Sequence, residues 1–305
     1  MLRSKRLTAA LLCGLVCLTG CSGAPSIGDT PDTPGTPDAT AAPAAPDLPI
    51  ETAPVEETPA DPGLVYYITG HGCHAPEDVT RLADAFAARG YDWEAGTIDA
   101  IPDEAAAVIL NAPTEDITSD DQAILDAYLD NGGVFAIVLP ASESEMRYKY
   151  LGYLMESYCV ILDYDRVTET NTDRNVGDAI IVDQIGPPEG MRVDNYPVEQ
   201  MCMNDVRSFH IAYRENFTNI HHETFLESAE SAVGTPCGGT EDDPITYTDE
   251  CLYTMLYSRD DSRHNSSIIA CGSADFLLDE NADAPAYVGT RDWFAAAVQF
   301  MEEYY

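Results

Sequence analysis

The chain has 305 residues, with 53 Asp and Glu against 15 Lys and Arg, a formal net charge of −38. So acidic a surface repels phosphate backbones and anionic headgroups, which excludes nucleic acid as a partner. No stretch stays apolar for the roughly 20 residues that a membrane-spanning helix needs.

The N-terminus begins with Arg3, Lys5 and Arg6, followed by an apolar run of 12 residues from Leu7 to Leu18. That length fits the apolar region of a signal peptide and is too short to span a bilayer. The run ends in Leu18-Thr19-Gly20-Cys21, which looks like a bacterial lipobox. The resemblance implies a signal peptide over 1–20, cleavage before Cys21, and lipidation of Cys21 with palmitate-type chains. Two acyl chains give stable attachment, so the expected location is the cell membrane, lipid-anchored, on its extracytoplasmic face. Cleavage would leave 12 Lys and Arg against 53 Asp and Glu, a net charge of −41.

Residues 22–63 hold ten of the 20 prolines and eight acidic residues, with no basic one. Proline removes backbone donors and like charges repel, so 21–63 reads as a lipidated cysteine plus a disordered spacer. The remaining 64–305 is long enough for one domain with its own core.

Within that domain, Leu64–Thr69 is an apolar, β-forming run that ends at Gly70-His71-Gly72. From Pro76, Val79, Leu82, Ala83, Phe86 and Ala87 recur at helical spacing up to Gly90. Tyr91–Ile98 and Ala106–Leu110 read as strands. A helix capped by Thr118 or Ser119 presents Ile124, Leu125, Tyr128 and Leu129, and stops at Asn131-Gly132-Gly133. Val134–Leu139 is a continuously apolar strand, Met146–Met155 a helix and Cys159–Leu162 a strand. Residues 163–260 mix turns, Tyr-rich strands and acidic loops, and read as insertions plus β-structure at one sheet edge. Ser267–Cys271 is another buried strand. Thr290–Tyr304 is a terminal helix with Trp293, Phe294, Ala297, Val298 and Met301 inward. Strands that alternate with helices and are apolar throughout belong to a parallel sheet covered on both faces. The expected fold is α/β: a three-layer, doubly wound, mostly parallel sheet in one domain, with a β-rich insertion in its second half.

Six cysteines follow Cys21: Cys73, Cys159, Cys202, Cys237, Cys251 and Cys271. An even number outside the cytoplasm permits disulfides. Their irregular spacing favours at most one or two bridges, Cys237 with Cys251 being the best pair.

Several motifs recur in a familiar order. Tyr67-Ile68-Thr69-Gly70-His71-Gly72 resembles the opening strand and loop of the auxiliary domain of uncharacterised ABC transport systems, the family of the gliding-motility component GldG. Gly90-Tyr91, Ile101-Pro102, Asn111-Ala112-Pro113 with Asp116-Ile117, and Tyr128-Leu129 with Gly132-Gly133 follow as in that family. Gly272-Ser273-Ala274-Asp275-Phe276-Leu277 resembles its strand end and Arg291-Asp292-Trp293-Phe294 its last helix. The likeness covers 64–162 and 265–303. It implies a fold like that of class I glutamine amidotransferases without their nucleophile, and a non-catalytic auxiliary component. The implied partner is an ABC transporter permease/ATPase complex or another envelope protein. The membrane itself is reached through the lipid anchor. Many relatives carry transmembrane helices, whereas here only the lipobox reaches the membrane, so a direct permease role is excluded.

Loops at the carboxyl ends of parallel strands form the natural recognition edge. The candidate binding rim is therefore Gly70, His71, Gly72, Asn111, Pro113, Gly272 and Asp275, with Pro140–Glu143 between them. The main rival chemistry lies in His71-Gly72-Cys73-His74. His71, Cys73 and His74 could ligate zinc, with His221 or His222 completing the set. Cys73 beside His71 or His74 could serve as a nucleophile of a hydrolase. The structural alternative is a tight turn whose His71 satisfies nearby backbone. No G-x-S-x-G and no Gly-rich phosphate loop with its lysine occurs. Asp275 and Asp279 could pair as carboxylates. The reading is a non-enzymatic protein with no metal and no cofactor. A solute-binding lipoprotein is the alternative, its ligand contacted by Tyr-rich stretches such as 247–257.

Overall fold

A computed structural model describes residues 63–143, 147–184, 201–212, 219–237, 247–248 and 251–303. Cys21, the spacer except Gly63, Met146 and Tyr304 lie outside the described residues.

The first half alternates strand and helix. β1 (Leu64–Ile68) leads through a turn of 3-10 helix (Pro76–Asp78) to α1 (Thr80–Ala87) and β2 (Asp92–Gly96). β3 (Ala105–Asn111), α2 (Ser119–Asp130), β4 (Val134–Val138) and α3 (Lys149–Ser157) follow. Of the two residues suggested as the α2 cap, Thr118 holds the position, its hydroxyl accepting from the Asp121 N–H while the Asp121 carboxylate accepts from the Thr118 N–H.

The second half is mostly strands. They are β5 (Val160–Leu162), β6 (Asp165–Glu169), β7 (Asn175–Val176), β8 (Ala179–Gln184), β9 (Met201–Met203) and β10 (Phe209–Ile211). β11 (Ile220–Glu227), β12 (Ala232–Pro236), β13 (Tyr247–Thr248), β14 (Tyr253–Asp260) and β15 (Ser266–Cys271) follow, and α4 (Thr290–Glu303) closes the domain.

The main sheet runs β2-β1-β3-β4-β15-β14-β11-β8-β7. Pairings from β2 to β15 are parallel. From β15 onward they are antiparallel, so the β-rich region extends the parallel sheet at one side. β6, β12 and β13 form a separate three-stranded sheet. One expectation needs correction. β5 does not continue the parallel order after α3; it pairs antiparallel with β10, and β15 takes the place beside β4. The five buried, β-branched or apolar residues of β4 need a fully covered neighbour on each side, which the wholly buried β15 provides and the three-residue β5 could not.

The sheet has a core on each face. Val65, Tyr67, Ala107 and Ile109 point to the layer of α1 and α4. Tyr66, Ile68, Val108 and Leu110 point to the layer of α2 and α3. The period of two thus serves two cores at once, the reason these strands read as unbroken apolar runs. The chain moves outward from β1 to β2 through α1, and the other way from β3 to β4 through α2. Right-handed crossovers in opposite directions put the two helices on opposite faces. The reversal lies between β1 and β3. No helix among the described residues is long and apolar enough to cross a membrane.

All six cysteines after Cys21 are free thiols, so the Cys237–Cys251 bridge does not form. Cys237 Sγ instead lies 3.5 Å from Glu143 Oε1, and Cys271 is sealed in the core of β15. A core with two filled layers has no need of a covalent staple.

Candidate functional site

The strand order reverses between β1 and β3, and in open α/β sheets a crevice opens outside the carboxyl ends of strands at such a point. Here it measures about 250 Å³ and is lined by Gly72, His74, Pro113, Thr114, Ser142, Tyr148 and Arg207, among others. A larger hollow, about 460 Å³, lies at the opposite rim between α2 and the beginnings of β3 and β4, lined by Ile101, Tyr128 and Gly133. The carboxyl-end crevice is the better candidate, because charged and polar groups from five separate segments converge there.

The loop after β1 is rigid for local reasons. Gly70, His71 and Gly72 take φ of +93°, +50° and +68° in succession, which turns the chain sharply back over the strand end. A Cβ on Gly72 would strike Thr114 Oγ1. The loop is then sewn to the end of β3. The His71 carbonyl accepts from the N–H groups of Thr114 and Glu115, both at 2.9 Å, and the His74 N–H donates to the Asn111 carbonyl at 3.3 Å. Tyr67 Oη donates to the His74 carbonyl at 3.0 Å and accepts from Asn111 Nδ2 at 3.2 Å. Buried Asn111 is therefore a buckle between two strand ends rather than a group offered to a ligand. Pro113 is held in turn, its carbonyl accepting from Tyr148 Oη at 2.5 Å.

The three histidine-loop candidates point to three different places. His71 Nδ1 sits 3.2 Å from the Asp116 carbonyl and Nε2 lies 3.5 Å from Asp121 Oδ2, at the start of α2. Cys73 packs against the core under α2 and α3, and burial pushes its thiol up to about 12. A thiol is a poor nucleophile until it ionises. His74 alone lines the crevice. His221 pairs with Asp261 at 2.9 Å on the β11–β14 ladder. His222, its neighbour on that ladder, is half-buried, and burial lowers its pKa. Among the described residues no three His, Cys, Asp or Glu side chains are grouped to hold a metal ion.

Gly272 and Asp275 stand behind the crevice rather than in its wall. The Gly272 carbonyl accepts from the Arg207 N–H at 2.9 Å, and a Cβ at Gly272 would collide with the Arg207 carbonyl. The glycine lets the 205–208 segment lie directly on the end of β15. Asp275 Oδ2 accepts from Asn204 Nδ2 at 2.8 Å. Asp279 turns away to α1, accepting from the N–H groups of Thr80 and Arg81 at 2.9 and 3.0 Å. The two carboxylates therefore have separate partners.

Sequence reasoning missed Arg207, Tyr148 and Tyr164. Arg207 follows β9 on a strap held at each residue: Asp205 O accepts from Ala141 N–H at 2.6 Å, Val206 O from Val167 N–H at 2.8 Å and Ser208 O from Asp163 N–H at 3.2 Å. Its guanidinium carbon lies 5.2 Å from the Tyr164 ring centre, and that of Arg147 lies 4.3 Å from the same ring. Burial lowers the Arg207 pKa against the pull of Tyr148, Tyr164 and Asp165. Beside the strap, Ser208 Oγ lies 2.8 Å from Asp165 Oδ2 and 3.1 Å from Asp163 Oδ2, and Asp163 Oδ1 pairs with His210 Nδ1 at 2.8 Å. The serine and the histidine both reach the aspartate and not each other, so no nucleophile–base pair is formed. The only advance signal was an arginine beside Val206 in a chain with few basic residues.

No protein-family model matches the sequence, and no curated protein matches it significantly. Some solved structures are similar to it. The mmIFT52 N-terminal domain superposes with a TM-score of 0.56 at 14% identity, covering 78% of this chain and 97% of that one. A putative ThuA-like protein from Bacteroides uniformis gives a TM-score of 0.47 at 12% identity, covering 82% of this chain and 94% of that one. At such identity the first likeness is one of fold alone.

Proposed function

We propose that this chain is a lipid-anchored, extracytoplasmic binding component, non-catalytic, that serves an ABC transport system or another envelope assembly. The observation that carries the reading is the crevice at the β1/β3 reversal. Its walls are rigid loops fixed by backbone bonds, and burial pushes up the thiol of Cys73 in the first of these loops. Rigid strand-end loops around a small hollow that holds a few polar groups suit recognition. The lipobox at Leu18–Cys21 supports the tether, and the ordered motifs from Tyr67 to Phe294 that resemble the GldG-like auxiliary domain support the transport association.

The tether is tested by metabolic labelling with a radiolabelled fatty acid. Wild-type protein should take up label, and Cys21→Ala should remain uncleaved and unlabelled. Label retained by the variant contradicts the anchor. The solute-binding alternative gains one specific support, the buried guanidinium in the crevice wall.

A further inference from the structure

Arg207 is the only basic side chain among the described residues that is buried, at 1% exposure. Guanidinium keeps its charge in proteins, so burial must be offset by hydrogen bonds or an opposite charge. Arg207 is only partly offset: Asp165 attracts it, but its Nε and Nη1 are sealed from solvent and lack any hydrogen-bond partner. The Tyr164 ring at 5.2 Å gives cation–π attraction but accepts no N–H bond in the guanidinium plane. The nearest carboxylate, Asp165, is committed to the N–H and hydroxyl of Ser208 at 2.9 and 2.8 Å. This cation, with two N–H groups lacking acceptors, lines the crevice together with His74, Thr114 and Ser142. Arg147 sits over the same tyrosine at 4.3 Å, so two of the chain's 15 basic residues are gathered at one point of a molecule carrying −38.

We propose that the crevice is a binding site for a carboxylate group, with Arg207 as its counter-ion. A planar carboxylate matches guanidinium geometry and supplies the missing acceptors. A single negative charge also meets less repulsion from the acidic surface than a phosphate dianion would. About 250 Å³ admits a small acid or the last residue of a chain, not a large cofactor. The inference rests on the binding reading of this crevice but needs neither the lipid anchor nor the transport partner.

The test is calorimetric titration of the folded protein with propionate and with its neutral isostere propionamide, then with Gly-Gly-Ala carrying a free or an amidated C-terminus. The acids should bind and the amides should not. Arg207→Met should weaken acid binding by roughly tenfold or more, since hydrogen bonds to a charged group are lost. Without ligand that variant should be as stable as wild type, because it removes a buried charge whose Nε and Nη1 have no acceptor. Thr114→Trp, which fills the crevice from an exposed loop and leaves Arg207 in place, should abolish binding as well. Binding of propionate points to a free small acid, and binding of the peptide acid alone to a chain terminus; either supports the proposal. No binding of any acid, equal binding of acid and amide, or undiminished binding to Arg207→Met overturns it. If acids fail to bind while a protein partner still docks at this rim, the carboxylate site falls and the binding reading stands.

Discussion

Gly72 shows how one residue sets the site. Its φ of +68° and the Thr114 hydroxyl where a Cβ would stand leave room for glycine alone. Gly72→Ala should destabilise by roughly 1–3 kcal/mol through backbone strain plus the clash, read as a lowered denaturation midpoint at unchanged slope. An unchanged midpoint would mean that the loop relaxes freely. His210 makes a pH-dependent contribution at the residue scale. Its hydrogen bond to Asp163 raises its pKa above the ordinary 6.5, against burial. A raised histidine stabilises fully below 6.5 and loses that contribution as pH rises through the folded value. Asp165 nearby is also raised, by burial, so the readout is the difference between wild type and His210→Gln. That difference should shrink with rising pH above 6.5, and a flat difference would contradict the assignment.

At the scale of elements, two short helices borrow their caps from distant carboxylates. Asp116 accepts from the N–H groups of Lys149, Tyr150 and Leu151 at 2.7, 2.9 and 3.2 Å, opening α3 and pinning it to the loop after β3. Asp279 does the same for α1, and although burial opposes it, the bonds from Thr80 and Arg81 lower its pKa. The Asp279 contribution is present above 3.8 and is lost as pH falls through the lowered value. Asp116→Ala should cost about 1–2 kcal/mol, measured by chemical denaturation. A loss within a few tenths would mean the α3 amides find other acceptors. The elements up to β4, with β15 and α4, were legible because apolar periodicity, glycine stops and the Thr118 cap all act within a few residues of sequence. The antiparallel half was not. β9 and β10 have three residues each, too few for a period to register, and they exist only because distant strands pair with them. Arg207 was illegible for the same reason: its burial comes from β15, the loop after β4 and Tyr164, none of them near it in sequence.

At the scale of the whole molecule, an acidic α/β domain presents one end of its parallel strands as a built crevice and holds a buried cation there against its own net charge. Residues 22–63, rich in proline and acidic residues, should act as a spacer with too little apolar surface to offset chain ordering. Limited proteolysis should cut there and leave a stable fragment that starts near Pro62; a protease-resistant mature chain would contradict the spacer. The central claim is that the rim of the crevice is where this protein meets its partner at the membrane. It is tested most directly by photo-crosslinking in intact cells from positions 74, 114 and 143. The account predicts one common membrane protein captured from all three positions. Capture from none of them, with a small ligand occupying the crevice of the purified protein, would contradict it.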